Sequence, residues 1–293
     1  MFKFKRFEWA LRKSRLPVAK DGLVLDVGSG GTPYPRSDIL LDRLTGAEHR
    51  CGDSMMIDRP AVFGDAQRMP FKDKAFDFVV ASHILEHMAE PERFLKELQR
   101  VGKAGYIETP NAIFERLIPY DIHCLEVISV DGVLHIHKKA RPVEDPFLGA
   151  LGFMERDSKW KGLFFERLDL FHVRLFWDSE IKYKIHNPEV SCEWIENINN
   201  VSAVGEAKSS YLAKEGGWRK LGLSILNRWY ARGRAKRLEN FDLKTILCCP
   251  ECRGELISQP RQLACPACKV SYRCGPMPDF TKEHAVPYVA MVA

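Results

Sequence analysis

Apolar residues in this chain fall into short, unbroken runs, each closed by an acid or a small residue. Leu23-Val24-Leu25-Asp26-Val27 leads into Gly28-Ser29-Gly30-Gly31, and Ile39-Leu40-Leu41 stops at Asp42. Val62-Phe63 leads into Gly64-Asp65, Phe76 to Ala81 ends at Ser82, and Tyr106-Ile107-Glu108-Thr109 is closed by Pro110-Asn111. Runs without alternation predict strands covered on both faces, as in a parallel sheet. Phe94, Leu95, Leu98 and Val101 instead recur at helical spacing behind Pro91, which predicts a helix over about 91–101 packed on that sheet. Strand and crossover in succession make the fold class α/β, a doubly wound Rossmann-like sheet.

Downstream the period changes. Residues 125–130 and 133–137 flank Asp131-Gly132 and predict a hairpin. Residues 172–177 and 181–185 read as a second hairpin turning at Asp178-Ser179-Glu180, a candidate antiparallel edge. The segment 141–168, rich in Phe, Gly and charge, suits a lid. Phe164, Phe165, Phe171, Phe176 and Trp177 fit an acceptor pocket or a core equally. Residues 218–238 read as a basic helix carrying Arg228, Arg232, Arg234, Lys236 and Arg237.

Composition narrows the class. With 293 residues, 45% hydrophobic and 28% charged, the chain is a folded protein with room for more than one domain. No apolar run is long enough to cross a bilayer and no secretory signal opens the sequence, so a cytoplasmic location is expected. The formal charge of +5 permits anionic partners without requiring them. Residues 1–20 alternate aromatics with Lys and Arg and predict a basic amphipathic helix, packed on the domain or lying on a membrane surface or phosphates.

Chemistry enters at the strand ends. Gly28 and Gly30 let the backbone approach a ligand closely. Asp42, at the tip of the second strand, can accept from both hydroxyls of a ribose. Asp65 can accept from an adenine amino group while a neighbouring N–H, that of Ala66, meets a ring nitrogen; alternatively Asp65 caps the following turn. An NAD site would want a third glycine and an acid roughly 20 residues on, which this chain fits badly.

The stretches LDVGSG, Asp42, GDAQRMPF (Gly64–Phe71) and FDFVVASHILEH (Phe76–His87) together resemble class I S-adenosylmethionine-dependent methyltransferases of the type 11 group. The resemblance implies that Gly28 and Gly30 line the methionine moiety, Asp26 lies near its amine, Asp42 holds the ribose, Asp65 meets the adenine, and Ser82 or His83 lies near the sulfonium. Two departures stand out: Thr32 replaces a common glycine, and the short stretch from Gly30 to Asp42 leaves no room for a full first crossover helix.

Methyl transfer needs alignment and, for a protonated nucleophile, a base. His83 is the candidate, with His87 and Glu108 beside it and Asn111 and His123 as weaker pocket residues. His83 and His87 at i, i+4 would share one side of a helical turn; a metal pair is conceivable, though HILEH is not the zincin motif.

Six of nine cysteines lie between Cys248 and Cys274. Cys249-Pro-Glu-Cys252 and Cys265-Pro-Ala-Cys268, twelve residues apart, supply four thiolates for tetrahedral Zn2+ in a structural site. A redox pair or an iron–sulfur site fits the spacing less well. Residues 243–280 resemble the small zinc-binding activator subunit that partners tRNA and protein methyltransferases. The expected organisation is therefore an N-terminal helix (1–20), a methyltransferase domain (21–240) and a zinc ribbon (243–280). The methyl acceptor is unspecified: a small molecule or sugar, an RNA, or a protein, with RNA and a protein partner at the ribbon as candidates. The contrasting reading is a non-catalytic methyltransferase-like scaffold.

Overall fold

A computed structural model describes residues 16–43, 55–143, 157–196 and 217–287. Most of the expected N-terminal helix, Cys51, and much of the expected lid lie outside the described residues.

Five apolar runs form the parallel strands β1 (Val24–Val27), β2 (Ile39–Asp42), β3 (Ala61–Phe63), β4 (Phe76–Ser82) and β5 (Gly102–Pro110). Their order is β3-β2-β1-β4-β5, so the direction of winding reverses between β1 and β4. Ligands in open α/β sheets bind outside the carboxyl ends of strands at such a reversal. The expected helix is α1 (Pro91–Val101), with Pro91 in its first turn and Phe94, Leu95, Leu98 and Val101 buried on the sheet. The short helices α2 (Ala112–Leu117), α3 (Ser158–Glu166) and α4 (Leu168–Phe171) share an apolar cluster of Phe114, Phe164, Leu168 and Phe171. Phe164 and Phe171 thus serve the core, whereas Phe176 is half exposed.

The hairpin expected at 125–137 is present as β6 (Leu125–Val130) and β7 (Val133–Lys138). The second expected hairpin is not. β8 (His172–Asp178) lies antiparallel on β5, and β9 (Tyr183–Ile185) leaves it to pair parallel with β7 in a separate three-stranded sheet. Trp177 explains the first choice: it lies so close over Gly105 of β5 that a Cβ there would meet its ring at 2.6 Å. The edge strand is thus β8 alone.

In place of a first crossover helix, residues 28–38 form a loop anchored by charge. Tyr34 is buried against Val24, Phe78, Val80 and Tyr106. Asp38, fully buried, accepts from the Val24 N–H at 3.0 Å and pairs with Arg36 at 2.8 Å and Arg237 at 2.6 Å. Arg59 donates to the Tyr34 and Ser37 carbonyls. Arg237 and the buried Arg234, which donates to the Ser37 carbonyl, belong to α5 (Gly217–Leu238). Part of that basic helix therefore serves the fold, while Arg228, Trp229, Arg232 and Lys236 stay exposed.

The C-terminal segment adds β10 (Ile257–Gln259), β11 (Gln262–Cys265), β12 (Val270–Cys274), β13 (Pro278–Asp279) and β14 (Val286–Pro287). β13 runs parallel to β3, with the Phe280 N–H donating to the Phe63 carbonyl at 2.8 Å, so all of it joins the central sheet. Leu247, Leu263, Tyr272 and Phe280 share one apolar cluster with Val62, Met69 and Phe71.

Candidate active site and four-cysteine centre

β1, β2 and β3 are neighbours, which brings their carboxyl ends together. Gly28 holds φ +67, and a Cβ there would strike Ile84 at 2.6 Å; Gly30 holds φ +53. Glycine is therefore required at the turn. The Gly30 N–H donates to Asp42 Oδ2 at 3.1 Å, and the Gly64 N–H to the Asp42 carbonyl at 3.0 Å. The glycine turn, Asp42 and the Asp65 loop are thus tied together along one edge. Asp65 Oδ1 accepts the Gln67 N–H at 2.8 Å, the cap foreseen as one of its two roles, and Ala66 follows it nearly buried. The Ser29 hydroxyl, inside the glycine turn, is buried without a hydrogen-bond partner. Asp26 is buried and accepts the Tyr34 N–H at 2.7 Å, so it also secures the loop that replaces the crossover helix.

At the end of β4, Ser82 donates to Glu108 at 3.3 Å. His83 holds φ +56, a conformation rare outside glycine and found often at functional sites. This breaks the expected helical turn: Leu85–His87 form one 3₁₀ turn, His83 packs on His172, and His87 packs on His123. His83 Nδ1 lies 3.4 Å from Glu86 and its Nε2 3.4 Å from Glu108. Burial works against a charged ring, but the hydrogen bonds and charges of Glu108 and Glu86 outweigh it and raise the pKa to about 9. At neutral pH His83 therefore holds both protons and donates; a base at this position must first lose one. Glu108, fully buried, also accepts from the Tyr106 hydroxyl. Asn111 caps α2 by accepting the Phe114 N–H at 3.0 Å.

Cys249, Cys252, Cys265 and Cys268 bring their sulfurs within 4.8 Å of one another, with 3.9 Å between Cys249 and Cys268 and 3.5 Å between Cys252 and Cys265. None of the four is in a disulfide. Four sulfurs about 2.3 Å from a tetrahedral ion would stand ~3.8 Å apart, so the donor set fits. N–H groups of Gly254 and Cys268 point at Cys252 and Cys265, both at 3.4 Å, and the Gly254 N–H helps pull the Cys252 thiol down to about 7. Arg253 and Lys269, each directly after a CxxC pair, share a left-handed φ (61 and 53). Neither is a glycine or asparagine, so the sequence carried no sign of these matched turns. The centre is tied to the Asp65 loop by Arg68–Glu251 at 3.0 Å, by the Cys248 N–H to the Pro70 carbonyl at 3.0 Å, and by the Lys72 N–H to the Ile246 carbonyl at 2.8 Å.

Residues 38–107 match the family profile of a methyltransferase domain. Ajmaline N-methyltransferase of Rauvolfia serpentina is 45% identical over 42 residues, which is 14% of this chain and 14% of that protein. The chain thus spans about a seventh of that relative. Similar solved structures include the complex of the Haloferax volcanii Trm112 methyltransferase activator with a methyltransferase. Its TM-score is 0.36 at 15% identity, covering 61% of this chain and 97% of that one. The arsenic(III) S-adenosylmethionine methyltransferase CrArsM of Chlamydomonas reinhardtii gives 0.24 at 15%, covering 38% and 48%. The sheet is an α/β Rossmann-like sheet that carries the segment matching a methyltransferase domain. Beside it sits a four-cysteine cluster whose sulfurs are close enough together to hold a metal ion. Among the described residues no helix is long and apolar enough to cross a membrane.

Proposed function

We propose that this chain is an S-adenosylmethionine-dependent methyltransferase with a built-in structural zinc ribbon over residues 243–280. The observation that carries the reading is the meeting of the Gly28–Gly30 turn, Asp42 and Asp65 on neighbouring strand ends, with Asp42 and Asp65 inside the segment that matches a methyltransferase domain. The buried, unpartnered Ser29 hydroxyl in that turn suits a polar ligand. Asp42 would hold the ribose hydroxyls and Asp65 with Ala66 the adenine, while Gly28 and Gly30 would leave room for the methionine chain. Asp26 would act through the loop it secures. Ser82 and His83 would face the methyl end. The cofactor supplies a methyl carbon already activated on a positive sulfur, so the residues around it chiefly align the acceptor and exclude water. Cys249, Cys252, Cys265 and Cys268 would close the coordination of Zn2+, leaving it no open position for catalysis.

Titration calorimetry with S-adenosylmethionine tests the cofactor site. Asp42→Asn and Asp65→Ala are each expected to weaken binding about 10- to 150-fold, the loss of charge-assisted hydrogen bonds worth ~1.5–3 kcal/mol. Unchanged affinity in both variants would remove the site. No binding by the wild type would favour the scaffold reading. Labelled cofactor incubated with separated small molecules, RNA and protein identifies the acceptor.

A further inference from the structure

Among the described residues, one cluster of ligating side chains outside the cysteine centre is arranged for an ion. A carboxylate oxygen of Glu86 and one ring nitrogen each of His87 and His123 lie within 4.8 Å of one another. We propose that these three residues form a second metal site, for a divalent transition ion such as Zn2+, at the carboxyl end of β4.

The hydrogen bonds around the cluster set the tautomers. His87 Nδ1 meets the Ile122 carbonyl at 2.8 Å. A carbonyl only accepts, so Nδ1 carries the proton and the lone pair lies on Nε2. His123 Nδ1 meets the Glu115 carboxylate, which Lys139 Nζ holds from the other side at 2.6 Å. Nδ1 is again the donor and Nε2 the nitrogen left to ligate. Backbone carbonyls and carboxylates behind metal-binding histidines fix the ring and raise its basicity in this way. Glu115 and the Lys139 that holds it are themselves buried.

Glu86 completes the cluster. Its side chain is 1% exposed, Oε2 accepts the Thr109 hydroxyl at 2.8 Å, and Oε1 faces His83 Nδ1 at 3.4 Å. That contact is long for a hydrogen bond, so the same oxygen can also take a cation. Two imidazoles and one carboxylate suit first-row divalent ions and leave coordination positions for water or an oxygen ligand. His87, only partly buried, provides the approach from solvent.

The experiment is a zinc count on the full-length protein after equilibration with Zn2+ and gel filtration. Wild type is expected to hold one more zinc per chain than His87→Gln and than His123→Ala. Glu115→Gln, which replaces no ligand but alters the partner of His123 Nδ1, is expected to weaken this ion about 10- to 100-fold. The difference between wild type and His87→Gln reads this site alone, whatever the cysteines hold. Should His123→Ala fail to fold, the partly exposed His87→Gln decides. Equal zinc in wild type and His87→Gln overturns the proposal.

Discussion

Cys249→Ser is expected to lose the ribbon's zinc and, with it, the ordered structure of residues 243–287. The strands there are short, and their apolar residues Leu263, Tyr272 and Phe280 complete a cluster shared with the residues that cover the parallel strands. Metal binding to structural zinc sites contributes about 10–16 kcal/mol in isolated finger peptides. Loss of one thiolate therefore outweighs anything so small a module gains from burial. The damage will not stay local. Residues 246–248 hydrogen-bond to the segment that follows Asp65, and β13 lies against β3. Weaker S-adenosylmethionine binding should accompany the loss of metal even though Cys249 touches no part of the nucleotide site. Metal analysis and hydrogen exchange over residues 262–280 check the result; retained zinc with unchanged protection would contradict it.

Asp38→Ala is expected to cost about 3–5 kcal/mol, because it strands Arg36 in the interior beside an unsatisfied Val24 N–H. Arg237→Met removes a partner that still reaches solvent and should cost less. In the Arg237→Met background the Asp38 change should also cost less than in the wild type, since the two share one ion pair. Denaturant midpoints of the four chains measure this. A loss under ~1 kcal/mol for Asp38→Ala would mean that Tyr34 packing and the hydrogen bonds of Asp26, Arg59 and Arg234 hold the loop without Asp38.

The parallel strands were legible because burial on both faces leaves runs that are apolar but for a single acid, as in Val24–Val27 and Phe76–Ala81. Asp131-Gly132 announced its hairpin through a turn with φ of 49 and 77. The four cysteines were legible from spacing, since ligand geometry is a local property. What failed was pairing between distant segments. Nothing in Tyr183–Ile185 marks it for β7 rather than β8, and the seat of β8 on β5 depends on Gly105, which opens space for Trp177 from a distant part of the chain. The shortened crossover could be seen, but not the arginines from 59, 234 and 237 that stand in for it. His83 was legible as a rim residue. Its left-handed backbone and two carboxylate neighbours were not, because Glu108 reaches it from another strand.

The join between β13 and β3 also bears on how the molecule avoids its own kind. A bare β3 would offer a row of unsatisfied amides to any passing copy, and such rims seed clumping. Here the protective cover travels on the same polypeptide, present at one-to-one ratio from the moment synthesis ends. A truncated chain stopping before residue 243 should therefore be sticky as well as weak in cofactor binding, and dilution should slow its precipitation.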